Sequence, residues 1–206
     1  MESVLDRVIK QNTENVNLLK TKDYNIFSVL QIQSKEVLIC RMIADLLNPR
    51  GQHGAGAEYL KIFLRDCLGM EKMDTKLADQ AIVTAEYAID DERRIDIVIE
   101  IGSYFLPIEV KIYAADQKSQ CFDYYQYAKR RDAQAKVYYL TLDGHRPGKD
   151  STSSGSQSVP EEDIVCLSFR EHILNWLKAC KSCENTGMVP ILEQFIQNIE
   201  QISGYT

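Results

Sequence analysis

No stretch of about 18 apolar residues occurs anywhere in the chain, so no segment reads as a membrane-spanning helix. The opening MESVLDRVIKQN has neither the apolar centre nor the small-residue cleavage site of a signal peptide, and the expectation is a cytoplasmic protein without a membrane. A cationic surplus is missing too. The formal net charge is −6, whereas a non-specific duplex binder carries a basic surface that releases counterions from phosphates. That deficit argues against avid sequence-independent DNA coating, but not against a nucleic-acid enzyme with a small acidic metal centre. Cysteine pairs are scarce as well. Of Cys40, Cys67, Cys121, Cys166, Cys180 and Cys183, only the last two have ligand-like spacing, and the second pair that a zinc site needs is absent. Reduced, mostly buried thiols are the expectation.

What is present is an ordinary globular composition, with 45% hydrophobic and 26% charged residues over 206 positions. It predicts a single domain over 1–206, with a helical extension at 1–24 that packs through Val4, Leu5, Val8 and Ile9. In SKEVLICRMIADLLNPRG, Ser34 offers an N-cap, and Asn48-Pro49 with Gly51 a stop. The residues between are apolar nearly all round, which predicts a buried helix with one anomaly, the carboxylate of Glu36 at its start. A second helix follows at 57–69, after a Gly-rich turn that holds His53. Then come a strand at 81–89, a hairpin at 93–112, a helix at 116–131 and a strand at 136–142. The Ser/Gly-rich 148–162 reads as a mobile loop. A strand (IVCLSF), a helix (REHILNWLKACKS) and a last helix at 189–202 complete the order.

The hairpin RRIDIVIEIGSYFLPIEVK carries the chemistry. With Gly102-Ser103 as a two-residue type II′ loop, facing residue numbers sum to 205. Asp96 then faces Glu109, and Arg94 faces Lys111. Strand alternation puts Ile95, Ile97, Ile99, Leu106, Ile108, Val110 and Ile112 on one face, and Arg94, Asp96, Glu109 and Lys111 on the other. Two opposed carboxylates repel, and a divalent cation between them would turn that repulsion into ligation. A solvated charged face is the competing reading. Lys111, one pleat beyond Glu109, can orient or deprotonate a water and offset phosphoryl charge, with Arg94 pressing on it from across the hairpin.

At these residues the chain resembles the PD-(D/E)XK nuclease superfamily. IDIVIE and PIEVK are similar to its signature, with Asp96 as the first acid and Glu109-Val110-Lys111 as E-x-K. SKEVLICRMIADLLNPRGQHGAGAEYLKIFL, KIYAADQKSQCFDYYQYAKR, YYLTLDG and LSFREHILNWL resemble successive further blocks, over roughly 25–200. The resemblance implies a restriction-endonuclease-like α/β (mixed α+β) core of order α-β-β-β-α-β, a central mixed sheet flanked by helices. It implies Mg²⁺ or Mn²⁺ held by Asp96, Glu109 and the carbonyl of Val110, with Lys111 serving the attacking water. Glu36 corresponds to an acid on the first core helix that reaches the metal region, where the plain alternative is an acid favoured by the helix dipole; Glu86 is a rival for that auxiliary place. Gln117 falls where relatives carry a polar active-site residue. Gln117, Gln120, Tyr124 and Arg131 recur at helical spacing. The implied activity is phosphodiester hydrolysis on nucleic acid, DNA first, with a homodimer left open. The alternative is a non-catalytic regulatory or interaction protein of the same fold in a defence or mobile-element system.

Overall fold

A computed structural model describes residues 24–71, 73–183 and 187–204; the helix expected over 1–24 lies outside the described residues except at Tyr24. After one helical turn at Ile26–Val29, helices α1 (Glu36–Leu47) and α2 (Glu58–Asp66) lead to an antiparallel meander of β1 (Ile82–Ala88), β2 (Arg94–Ile101) and β3 (Tyr104–Lys111). Helix α3 (Gln120–Arg131) then crosses to β4 (Val137–Thr141), which pairs parallel with β3. β5 (Ile164–Ser168) adds parallel to β4, giving the order β1-β2-β3-β4-β5. Helices α4 (Leu174–Lys181) and α5 (Val189–Ser203) follow. A parallel pair cannot be closed by a tight turn, so α3 serves as the crossover. This is the mixed sheet flanked by helices that the sequence predicts.

The sheet has an apolar layer on each face. On one side Ile39, Leu47, Phe63, Trp176 and Phe195 pack against Ile97, Ile99, Ile108 and Val110. On the other, Cys121, Tyr124 and Ala128 of α3 close over Val98, Phe105 and Tyr139. Trp176 anchors the thicker layer, with its indole N–H donating to the Tyr59 carbonyl at 2.8 Å and its ring edge against Phe63. Helix α1 is less enclosed than its composition predicts: Val37 and Leu38 stay 43% and 39% exposed, and burial concentrates on the stripe of Ile39, Ile43, Leu46 and Leu47. Among the described residues no helix is long and apolar enough to cross a membrane.

The hairpin register is the expected one from Ile101↔Tyr104 to Ile97↔Ile108. Gly102 has φ 57° and Ser103 no positive φ, the type II′ pattern. The ladder then stops, one step short of Asp96 and Glu109. On the other edge of β2 the register runs through Ala85↔Ile97 and Tyr87↔Ile95 but skips Glu86, which is left-handed at φ 54°. Asp96 is therefore out of the ladder on both sides. The strict alternation expected of β2 fails here, because Ile95 joins the α3 layer with Val98 rather than the face of Ile97 and Ile99.

Other boundaries move for local reasons. Lys35, not Ser34, occupies the N-cap of α1, with no side-chain cap bond, so Glu36 becomes the first helical residue. Helix α3 begins at Gln120 rather than 116, after Ser119 at φ 57°. A π-helical turn at Phe169–Ile173 precedes α4. The 148–162 stretch is not a featureless loop: it forms a helical turn (Lys149–Thr152) and a two-residue ladder (Ser153–Ser154 with Gln157–Ser158).

A Cβ at Gly102 would meet only Leu77, at an ordinary 3.8 Å, so Gly102→Ala tests the backbone alone. Its left-handed φ should lower the unfolding free energy by about 1 kcal/mol. A urea titration should show this as a lower midpoint with unchanged slope.

Candidate metal centre

Leaving the ladder frees the Asp96 side chain to act as a backbone acceptor. Its Oδ2 takes the N–H of Val110 at 2.7 Å, in place of a carbonyl from β2. Glu109, one residue earlier in β3, is only 1% exposed. One of its oxygens accepts from the Lys111 ammonium, while Oε2 is buried with no hydrogen-bond partner among the described residues. A buried carboxylate oxygen left bare costs several times a made hydrogen bond. Lys111 itself is 7% exposed. Its strongest interactions are with the acids; the guanidinium of Arg94, expected to press on it, is exposed and has no ionic partner among the described residues.

These contacts set the protonation. Burial, then the Asp96 charge, raises the Glu109 carboxyl well above its ordinary value, with Lys111 pulling the other way. Burial also raises Asp96, against the Val110 N–H that lowers it. For Lys111, burial opposes the charge, but Glu109, Asp96 and Glu36 outweigh it and the ammonium is favoured. Glu36 reaches the same place from α1. Its Oε2 accepts the N–H of Ile112 at 2.8 Å, tying the helix start to the end of β3. The buried Cys40 thiol is pushed up by burial and then by Asp96, Glu36 and Glu109, so all three acids lie within electrostatic reach of one atom.

The remaining sequence candidates go elsewhere. Gln117 is exposed, three residues before α3, and its Oε1 accepts from the Arg93 guanidinium at 2.8 Å. Its expected shared face with Gln120, Tyr124 and Arg131 does not form, since Arg131 turns to Glu100. Glu86 is taken by Arg41 at 2.6 Å. His53 orders its loop: Nδ1 accepts from the Ala55 N–H at 3.0 Å, and Nε2 lies 2.9 Å from the Asn48 carbonyl. Cys180 and Cys183 are free thiols.

Sequence reasoning missed how Gln120 and Tyr124 line the centre. Gln120 donates to the Tyr124 hydroxyl at 3.0 Å, and that hydroxyl donates to the Arg94 carbonyl beside Asp96. Burial and the Glu109 charge raise the Tyr124 phenol. Their i, i+4 spacing was the available signal.

Among the described residues no three His, Cys, Asp or Glu side chains form a metal-binding set. The donors on offer are two adjacent carboxylates, Asp96 and Glu109, and the backbone carbonyl of Val110. Hard oxygens, a bare buried carboxylate oxygen and mutual repulsion suit Mg²⁺, which uses one or two carboxylates and keeps several waters. Nothing soft or nitrogenous competes in that donor set.

A five-stranded mixed sheet flanked by helices, with two acids and a lysine at the fork of its hairpin, defines a restriction-endonuclease-like fold. The family model of the PD-(D/E)XK nuclease superfamily matches residues 24–197, and the chain belongs to that superfamily. Comparison with curated proteins and with solved structures gives no match.

The raised carboxyls make the metal-free fold pH-sensitive. Between the ordinary carboxyl range and the raised values the folded state holds more protons than the unfolded chain, so this contribution to stability falls as pH rises. Asp96→Asn keeps an oxygen for Val110 and removes one repelling charge. Without divalent ions it should melt higher than the wild type at pH 7.5, with the gap closing toward pH 4, as followed by circular dichroism.

Proposed function

We propose that the chain is a metal-dependent nuclease that hydrolyses phosphodiester bonds of DNA in the cytoplasm. The observation that carries this reading is the buried Glu109 Oε2, unpartnered among the described residues, beside Asp96 and with Lys111 on the same carboxyl group. Asp96, Glu109 and the Val110 carbonyl would hold Mg²⁺ or Mn²⁺. In an extended strand the N–H and C=O of one residue face the same neighbour, and the Val110 N–H faces Asp96. When bound, the ion supplies polarisation of the scissile phosphate and a water of lowered pKa.

The side chains do the rest. Lys111, held as an ammonium by Glu109, orients the attacking water and shares the charge that builds on the phosphoryl oxygens. Glu36 spends one oxygen on the Ile112 N–H and keeps the other for water at the edge of the centre. Gln117 and Arg93, bound to each other on the rim, contact the backbone of the nucleic acid. Tyr124 and Gln120 exclude bulk water from the Glu109 side.

Asp96→Asn should lose both ion binding and cleavage. Lys111→Ala should keep ion binding and lower the cleavage rate by about 10²–10⁴. Melting curves with and without Mg²⁺ or Mn²⁺, beside single-turnover cleavage of labelled DNA, check both. Wild-type protein whose melting ignores both ions and which cuts neither DNA nor RNA would place the chain with non-catalytic proteins of this fold.

A further inference from the structure

The 146–164 segment builds a cleft of about 450 Å³ whose cations the centre does not use. Arg146 and Lys149 line it, with Thr152, Ser153, Ser158 and one acid, Glu161. Lys149 is exposed and has no ionic partner among the described residues; Arg146 spends one N–H on the Glu161 carbonyl at 3.1 Å and keeps its others. Thr152 and Ser153 direct their hydroxyls to backbone carbonyls of the same turn, while the Ser158 hydroxyl is not so engaged among the described residues.

Hydrogen bonds and the strand register link this cleft to the acid cluster. Tyr139 lies beside Glu109 in the parallel register. Its hydroxyl donates to Asp116 at 2.7 Å, and the other Asp116 oxygen takes the Gly148 N–H at 2.7 Å. The start of α3 grips the same segment: the Ser119 N–H donates to the Asp150 carbonyl, the Ser119 hydroxyl to the Ser153 carbonyl, and the Cys121 N–H to the Ser151 hydroxyl at 3.3 Å. Lys118, next to Ser119 in sequence, is exposed and without an ionic partner among the described residues. In a chain of net charge −6, two cations without acidic partners among the described residues, lining one polar cleft, suit a polyanion.

We propose that the cleft is a phosphate-binding subsite for the polynucleotide strand, holding backbone phosphates beyond the scissile bond with Arg146 and Lys149. This deepens the nuclease reading and rests on it. The subsite supplies register along the strand, and its binding energy is electrostatic and salt-dependent.

The test reads binding apart from cleavage. Anisotropy of a labelled single-stranded DNA 20-mer is measured in EDTA over a range of salt. Arg146→Gln with Lys149→Gln should weaken binding at least fivefold at low salt. It should also flatten the slope of log affinity against log salt by about 1.4, two phosphates at about 0.7 each. The control Arg65→Gln with Lys76→Gln removes the same formal charge from α2 and from the helical turn at Thr75–Ala78, outside the cleft lining, and should change little. Lys149→Glu alone should weaken binding further than Lys149→Gln, a second route if the double variant folds poorly. Equal shifts in cleft and control variants, or none in the cleft variants, overturn the proposal. So does tighter binding of thymidine 5′-monophosphate than of the 20-mer, which would make the cleft a free-nucleotide site. If the cleft variants lose binding while wild-type protein with Mg²⁺ never cuts, the subsite stands and the nuclease reading falls; wild-type cutting with unaltered cleft-variant binding means the reverse.

Discussion

The hydrogen bond from the Val110 N–H to the Asp96 carboxylate is the constraint around which the centre is arranged. A backbone donor at the middle of a sheet needs a partner, and β2 offers no carbonyl to it because the ladder ends at Ile97↔Ile108. A side-chain oxygen takes that place. The exchange fixes the Asp96 carboxylate in the fork between the strands, next to Glu109, in a position that electrostatics alone would never select. The repulsion between the two acids is tolerated because the backbone bond is satisfied.

The left-handed Glu86 belongs to the same arrangement. Its conformation costs on the order of 1 kcal/mol, and it falls opposite Asp96 on the other edge of β2. Interrupting the β1 ladder there, as the β3 ladder is interrupted on the other side, lets the strand rotate so that Ile95 and Asp96 leave the alternation. Strain at Glu86 and a bare oxygen on Glu109 are thus two costs of one geometry, and cost concentrated at a single place in a sheet is the usual mark of a site rather than of a scaffold.

Around it, the molecule supplies enclosure. α1 brings Glu36 to the end of β3 through the Ile112 amide, and α3 lays Tyr124 over the Glu109 side. The two helices come from opposite faces of the sheet, so the acids sit where both apolar layers end. Burial raises the carboxyls there, and the three acids together hold Lys111 as a cation despite its own desolvation.

Much of this was legible in the residues themselves. Period-two alternation and the Gly102-Ser103 turn determined the hairpin and its register, since a one-residue slip would have turned every isoleucine to the wrong face. The same arithmetic brought Asp96, Glu109 and Lys111 together. The resemblance in the surrounding blocks named the superfamily. What the chain's pattern could not carry were the exceptions to pattern: the break at Glu86, the swing of Ile95 into the other layer, the late start of α3 that leaves Gln117 on the rim, and the folding of 148–162 against Ser119. Each is decided by contacts between residues far apart in sequence, where satisfying a buried amide or filling a layer outweighs local preference. Periodicity reports which face a residue would take in an unbroken element; only the packed tertiary structure decides where the element breaks.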